Sequence, residues 1–125
     1  ERRYRQINDF ERLLVETGTT VIKCMLHIGQ DEQRKRLQER IDEPDKNWKF
    51  SRGDLEVRKK WRVYQQAYER ALSNTSTKHA PWHVVPSNSK LHRNLMVARL
   101  LIKELKDMDL SFPPADPALK GLVVD

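Results

Sequence analysis

The sequence predicts an α/β fold with a parallel sheet, mostly helical over its 125 residues. Three observations lead there. Residues 20–28 (TVIKCMLHI) are almost continuously apolar and β-branched at the start, as in a strand covered on both faces of a parallel sheet. Helix-period apolar stripes flank that run, and a second short apolar stretch follows at 82–85.

Taken in order, Tyr4, Ile7, Phe10, Leu13 and Leu14 recur every three or four residues, which predicts an amphipathic helix over 3–17 that stops at Gly18. Lys23 and His27 are the polar exceptions in the strand, and Gly29 closes it. Gln30 or Asp31 opens a helix through Ile41 with Leu37 and Ile41 on one face, and Pro44 stops it. Ser51 followed by Asp54 has the spacing of a capping box, so another helix begins there. The stripe Val57, Trp61, Tyr64, Tyr68 and Ala71 or Leu72 predicts that it runs on unbroken. Residues 73–79 read as a loop. The strand at 82–85 ends at Pro86, and the polar residues at 87–89 cap a last helix from Leu91 to about Met108, with Leu95, Ala98, Ile102 and Leu105 inward. Residues 1–110 thus form the α/β part. From Ser111 to 125 the chain holds three of its six prolines and reads as an extended tail.

Two strands make a poor sheet, and the first is too apolar for an exposed edge. We therefore expect the chain to be the C-terminal part of a larger domain, with further strands outside it. The single Cys24 excludes a disulfide framework and suits a reducing cytoplasm, and no run reaches the roughly 18 apolar residues of a membrane span.

Charge is concentrated. Residues 34–62 hold eleven Lys/Arg against six Asp/Glu, a net +5 of the chain's +6, which points to a polyanionic partner. No glycine forms a phosphate-cradling loop, the four histidines lack the spacing of a zinc motif, and Cys24 has no second thiol, so no metal site is expected within these residues. What remains is a set of cations: Arg36 and Arg40 at i and i+4, Lys46 and Lys49 in the following turn, Arg58, and Lys90 and Arg93 on the last helix. Arginine forks onto pairs of phosphate oxygens while lysine acts as a point charge, and two basic helices joined by a charged turn would make a lid that closes on a phosphate chain and excludes water. The same arginines on a solvated face would instead pair with Glu39 or Asp42. Of the tryptophans, Trp61 reads as core, and Trp48 is the one open to stacking on a ligand.

The string LHIGQDEQRKRLQERIDEPDKNWKFS at 26–51 resembles the polyphosphate kinase 2 family, as do Asp54, Arg58, Trp61, Tyr64, AYE at 67–69, TST at 75–77, APW at 80–82, VVP at 84–86, Lys90 and RNL at 93–95. The similarity covers about residues 1–105 and departs at Arg62, Val63 and Leu91, positions that bear on nucleotide preference. It implies a three-layer α/β/α P-loop kinase fold that moves a phosphoryl group between inorganic polyphosphate and a nucleoside mono- or diphosphate. It implies a lid over about 30–75 carrying Arg36, Arg40, Lys46, Lys49 and Arg58, with Lys90 and Arg93 also at family positions. The phosphate-binding loop and the Mg²⁺ site are then expected upstream of Glu1, and a homo-oligomer is expected. The alternative is a noncatalytic basic module that binds nucleic acid or an acidic protein. Against it, the sequence has no helix-turn-helix spacing, zinc ligands or RNA-binding aromatic motif.

Overall fold

The computed structural model describes residues 1–124. Its elements are α1 (Arg2–Glu16), β1 (Lys23–His27), α2 (Gln30–Asp42), a 3₁₀ turn (Pro44–Lys49), α3 (Arg52–Lys59), α4 (Trp61–Thr75), β2 (Trp82–Pro86) and α5 (Lys90–Asp107), with a last 3₁₀ turn at Pro117–Leu119. Helix α1 ends where Thr17 Oγ1 donates to the Leu13 and Leu14 carbonyls and Gly18 takes φ 89°, a left-handed conformation that glycine adopts without steric cost.

The two strands pair in parallel, Lys23 opposite Trp82 through His27 opposite Pro86. The ladder is shorter than the apolar run that announced it, because β2 offers only five residues and 20–22 lead in without partners. Alternation along a strand places Lys23, Met25 and His27 on one face with Trp82 and Val84. Helix α4 covers that face, with Gln65, Tyr68 and Leu72 around a groove shared with Met25, His27 and Val84. Helix α1 packs on α4, and α5 on β2. Leu37, Ala80 and Val85 are the buried apolar residues among those described.

Beneath β1 lies a polar knot. Lys23 Nζ forms a 2.6 Å ion pair with Glu11 and also donates to the Thr75 carbonyl, while sitting 5.2 Å from the centre of the Trp82 ring. Trp82 Nε1–H donates to Thr75 Oγ1 at 2.9 Å, and Asn8 Nδ2 donates to the Asn74 carbonyl at 2.9 Å. Four elements, α1, β1, α4 and β2, are joined there. The lysine that breaks the apolar pattern of β1 is thus a structural cross-link, and charge buried this deeply is tolerated only when paired and hydrogen-bonded.

The structure corrects the sequence reading at several points. The helix expected to run unbroken from Ser51 divides at Lys60 (φ −93°, ψ 21°) into α3 and α4. Trp61, expected in the core, is half-buried just after that break, and Tyr64 and Tyr68 are partly exposed with ring centres 6.3 Å apart. On α5 the stripe Leu95, Ala98, Ile102 and Leu105 faces outward, whereas Arg93, Val97, Leu100 and Glu104 turn toward the body. On α1, Phe10 and Leu13 face outward and Glu11 inward. Leu26, expected to be covered, is about half exposed, as is Ile41. Beyond Asp109 (φ 45°) the chain leaves the body, and Phe112 lies open to solvent.

Candidate functional site

In an open parallel sheet the crevice beyond the carboxyl ends of the strands is where ligands bind, because helix N-termini and loops converge there. Here α2 leaves β1 through Ile28 and Gly29, and α5 leaves β2 through Ser87, Asn88 and Ser89. Between the two exits is a cavity of about 370 Å³ lined by His27, Gly29, Pro86, Ser87, Asn88, Ser89 and His92. Ser89 Oγ accepts from the His92 amide at 3.3 Å, so the N-cap expected from sequence is present.

An arm formed by α2, the 3₁₀ turn and α3 rises beside this crevice. Its tip is fixed by Asn47, whose Nδ2 donates to the Arg40, Ile41 and Glu43 carbonyls at 2.7, 2.9 and 3.2 Å and so satisfies the open end of α2. The capping box at α3 is formed: Ser51 Oγ accepts from the Gly53 amide, and Asp54 Oδ2 from the Ser51 amide, both at 3.2 Å. Arg58 Nη1 donates to the Gln30 carbonyl at 2.7 Å and to Gln33 Oε1 at 2.9 Å, which closes α3 back onto the root of α2.

Arg36 reaches out of α2 toward the crevice. Its Nε donates to Glu32 at 2.7 Å, and its Nη2 donates to the carbonyls of Ser87 at 2.6 Å and Asn88 at 3.1 Å. Nη1 has no partner among the described residues, so a guanidinium held on three sides still presents donors. One turn on, Arg40 is held loosely: Nη1 donates to the Lys49 carbonyl at 3.3 Å and lies 3.9 Å from Asp54, with the side chain 39% exposed. Neither arginine pairs with Glu39 or Asp42.

Lys46 makes a 2.6 Å ion pair with Glu43, and that hydrogen bond, reinforced by the charges of Glu43, Glu39 and Asp45, holds its pKa above the usual lysine value. Lys49 Nζ lies 5.0 Å from the centre of the Trp48 ring, which is 79% exposed. Lys90, the first residue of α5, makes no hydrogen bond or ion pair with the described residues, and Arg93 donates to Asn94 Oδ1 at 2.8 and 3.1 Å. The seven cations therefore fall into two groups. Arg36, Arg58, Lys90 and Arg93 belong to the roots of the arm and of α5, whereas Arg40, Lys46 and Lys49 surround the arm's tip.

Sequence reasoning missed His27, Asn88 and His92 as walls of the crevice. His27 and His92 were weighed only as zinc ligands, the first standing out also as a polar break in β1, and Asn88 was absorbed into the helix cap. Among the described residues no group of three or more His, Cys, Asp or Glu could hold a metal ion, and Glu32, Glu43 and Asp54 each face a cation. With these carboxylates facing cations, the described residues do not form a Mg²⁺ site of their own. No helix of the described residues is long and apolar enough to cross a membrane.

Comparison with known proteins places this geometry. The family model described as Polyphosphate kinase 2 matches residues 1–113. The chain is similar to the AMP/ADP-polyphosphate phosphotransferase of Meiothermus ruber, 47% identical over 125 residues that make up 100% of this chain and 47% of that protein. It is also similar to the ADP-polyphosphate phosphotransferase of Rhodopseudomonas palustris, 44% identical over 117 residues, 94% of this chain and 40% of that one. The crystal structure of Polyphosphate Kinase 2 from Arthrobacter aurescens superposes with a TM-score of 0.90 at 50% identity, covering 95% of this chain and 43% of that chain. The chain spans less than half the length of each of these three proteins. With a family match over the whole α/β part and the same fold in a solved relative, this chain belongs to the polyphosphate kinase 2 family.

Proposed function

We propose that the protein carrying this chain transfers a phosphoryl group between inorganic polyphosphate and a nucleoside mono- or diphosphate. The chain contributes the carboxyl end of the sheet and, within about residues 30–75, a lid made of the arm of α2, the 3₁₀ turn and α3, while α4 belongs to the body. The observation that carries the reading is the row formed by Arg36 and Arg40, one turn apart on α2: the first fixed with Nη1 open, the second half-exposed and weakly held. An oxygen of the acceptor's terminal phosphate attacks the terminal phosphorus of the polyphosphate. One P–O bond forms, the bond to the shortened chain breaks, and that chain leaves with the electron pair. Cations aimed at this charge lower the barrier, and an arm closing over the crevice keeps water from taking the phosphoryl group. Lys46, Lys49, Arg58, Lys90 and Arg93 supply the longer-range field that gathers a polyanion.

The unpaired outer edges of the sheet and the shorter span relative to the family's members support further strands contributed from outside this chain. Residues 1–125 contain no glycine-rich phosphate loop, so on their own they are expected to be inactive. The test is a phosphoryl-transfer assay on the full-length protein with polyphosphate as donor and AMP, ADP, GMP and GDP as separate acceptors. Transfer to at least one acceptor is expected. No transfer to any of them would remove the reading, and turnover by residues 1–125 alone would remove the division of labour.

A further inference from the structure

We propose that Asn88 is a positioning residue: it fastens the root of the arm, and with it Arg36, to the loop that opens α5. This rests on the phosphoryl-transfer reading given above. The parallel ladder runs from Lys23 opposite Trp82 to His27 opposite Pro86, and one further backbone bond, from the Ser87 amide to the His27 carbonyl at 2.7 Å, carries it past the last paired residues. There the two chains must part, β1 turning into α2 and β2 into α5. Gly29 and Asn88 come next in the same register, 59 residues apart, and in place of a backbone rung the Asn88 side chain supplies one: Oδ1 accepts from the Gly29 amide at 2.9 Å.

The same residue acts a second time. Its carbonyl, with that of Ser87, accepts from Arg36 Nη2, while Glu32 accepts from Nε. Ser87 is itself immobilised, almost wholly buried with its hydroxyl donating to the Val85 carbonyl at 2.8 Å. A rigid element at the end of β2 thus grips α2 at two points about two helical turns apart, Gly29 at its cap and Arg36 in its second turn. Two such points fix the direction of a helix as well as its origin. What is fixed is the relation between Arg36 Nη1, left free to donate, and the crevice walled by His27, Asn88 and His92.

Asn88 itself is exposed, and the polar bonds it makes are of the kind that add little to global stability, so its removal leaves the fold in place. Its effect is on geometry, where a displacement of about 1 Å at a reacting group costs orders of magnitude in rate.

The experiment compares Asn88→Ala and Asn88→Asp in the full-length protein, by amide hydrogen exchange over residues 28–36 and by steady-state kinetics. In Asn88→Ala the Gly29 amide is expected to exchange up to about tenfold faster, the worth of one hydrogen bond, with a melting temperature lowered by no more than about 5 °C. Its kcat is expected to fall about tenfold while KM for polyphosphate stays within about twofold. Asn88→Asp keeps the acceptor and adds a negative charge beside a polyanion. It is expected to restore slow exchange and most of kcat but to raise KM. Unchanged exchange in Asn88→Ala overturns the clasp, and faster exchange with unchanged kcat overturns the positioning role. A parent protein without transfer activity removes the functional reading and the positioning role together, whereas the exchange arm still decides whether the clasp exists.

Discussion

Lys23 and Glu11 form a 2.6 Å ion pair with side chains only 9% and 11% exposed. The pair sits where α1, β1 and α4 meet, and Lys23 is bonded to the Thr75 carbonyl besides. Lys23→Met leaves a buried carboxylate without its partner and is expected to destabilise the protein by about 3 kcal/mol or more in denaturant unfolding. Removing both charges in Lys23→Met/Glu11→Leu is expected to recover most of that loss, because an apolar pair of similar volume carries no desolvation cost. A loss below about 1 kcal/mol for the single variant would show that the knot is solvated in solution.

Arg40 and Lys60 separate directed chemistry from diffuse charge. Both lie in the basic segment, but Arg40 stands on α2 with guanidinium donors open, while Lys60 is an exposed residue at the α3–α4 break. Arg40→Ala is expected to lower kcat/KM of the full-length enzyme by about 10²-fold, and Arg40→Lys to recover only part, since a point charge cannot reproduce the fork. Lys60→Ala is expected to stay within a few-fold of the parent. Equal, small effects from the two alanine variants would leave Arg40 a surface residue.

Salt reports the same grip from another side. Polyphosphate held by several Lys and Arg releases counterions as nucleic acids do, so its affinity is expected to drop by orders of magnitude between about 50 and 200 mM salt. Titration calorimetry at the two concentrations measures it, and a flat response would exclude a charge-based grip.

The Lys46–Glu43 pair sets a pH dependence whose sign is fixed by the upward shift of Lys46. A lysine whose folded pKa exceeds its unfolded value adds stability that is fully present below the unfolded value and is lost as pH rises through the folded one. The contribution is therefore constant through neutral pH and disappears only on the alkaline side of 10.5, the unshifted lysine value. Melting curves of parent and Glu43→Gln are expected to differ at neutral pH and to converge above that range. A difference that already shrinks between pH 6 and 8 would assign it to another group.

Much of the fold was legible because its signals are local. Gly18, the Ser51–Asp54 box, Ser89 and Pro86 mark the ends of elements by chemistry confined to a few residues. The break at Lys60 left no such mark: with ψ 21° the backbone departs only briefly from helix, so Val57, Trp61 and Tyr64 keep their spacing across it. Helix α5 is apolar on more than one side, and periodicity cannot say which side meets the sheet. The cations of the site were readable as a class, since charge density survives without coordinates. Their division between the roots of the arm and of α5 and the arm's tip was not, because Arg36 meets Ser87 and Asn88 across 51 and 52 residues and leaves no repeat in the sequence.

The offset of 59 residues between paired positions of β1 and β2 also has an evolutionary consequence. Closing so long a segment costs chain entropy of roughly 4 kcal/mol, yet that cost grows only with the logarithm of length, about 0.6 kcal/mol for each doubling. Because the whole arm lies inside the closed segment, adding a helical turn to α2 and α3 changes the closure term by less than about 0.1 kcal/mol. The reach of the arm can therefore drift by insertion and deletion, and with it the extent of the crevice it overhangs, while the strand pairing beneath it stays almost equally stable.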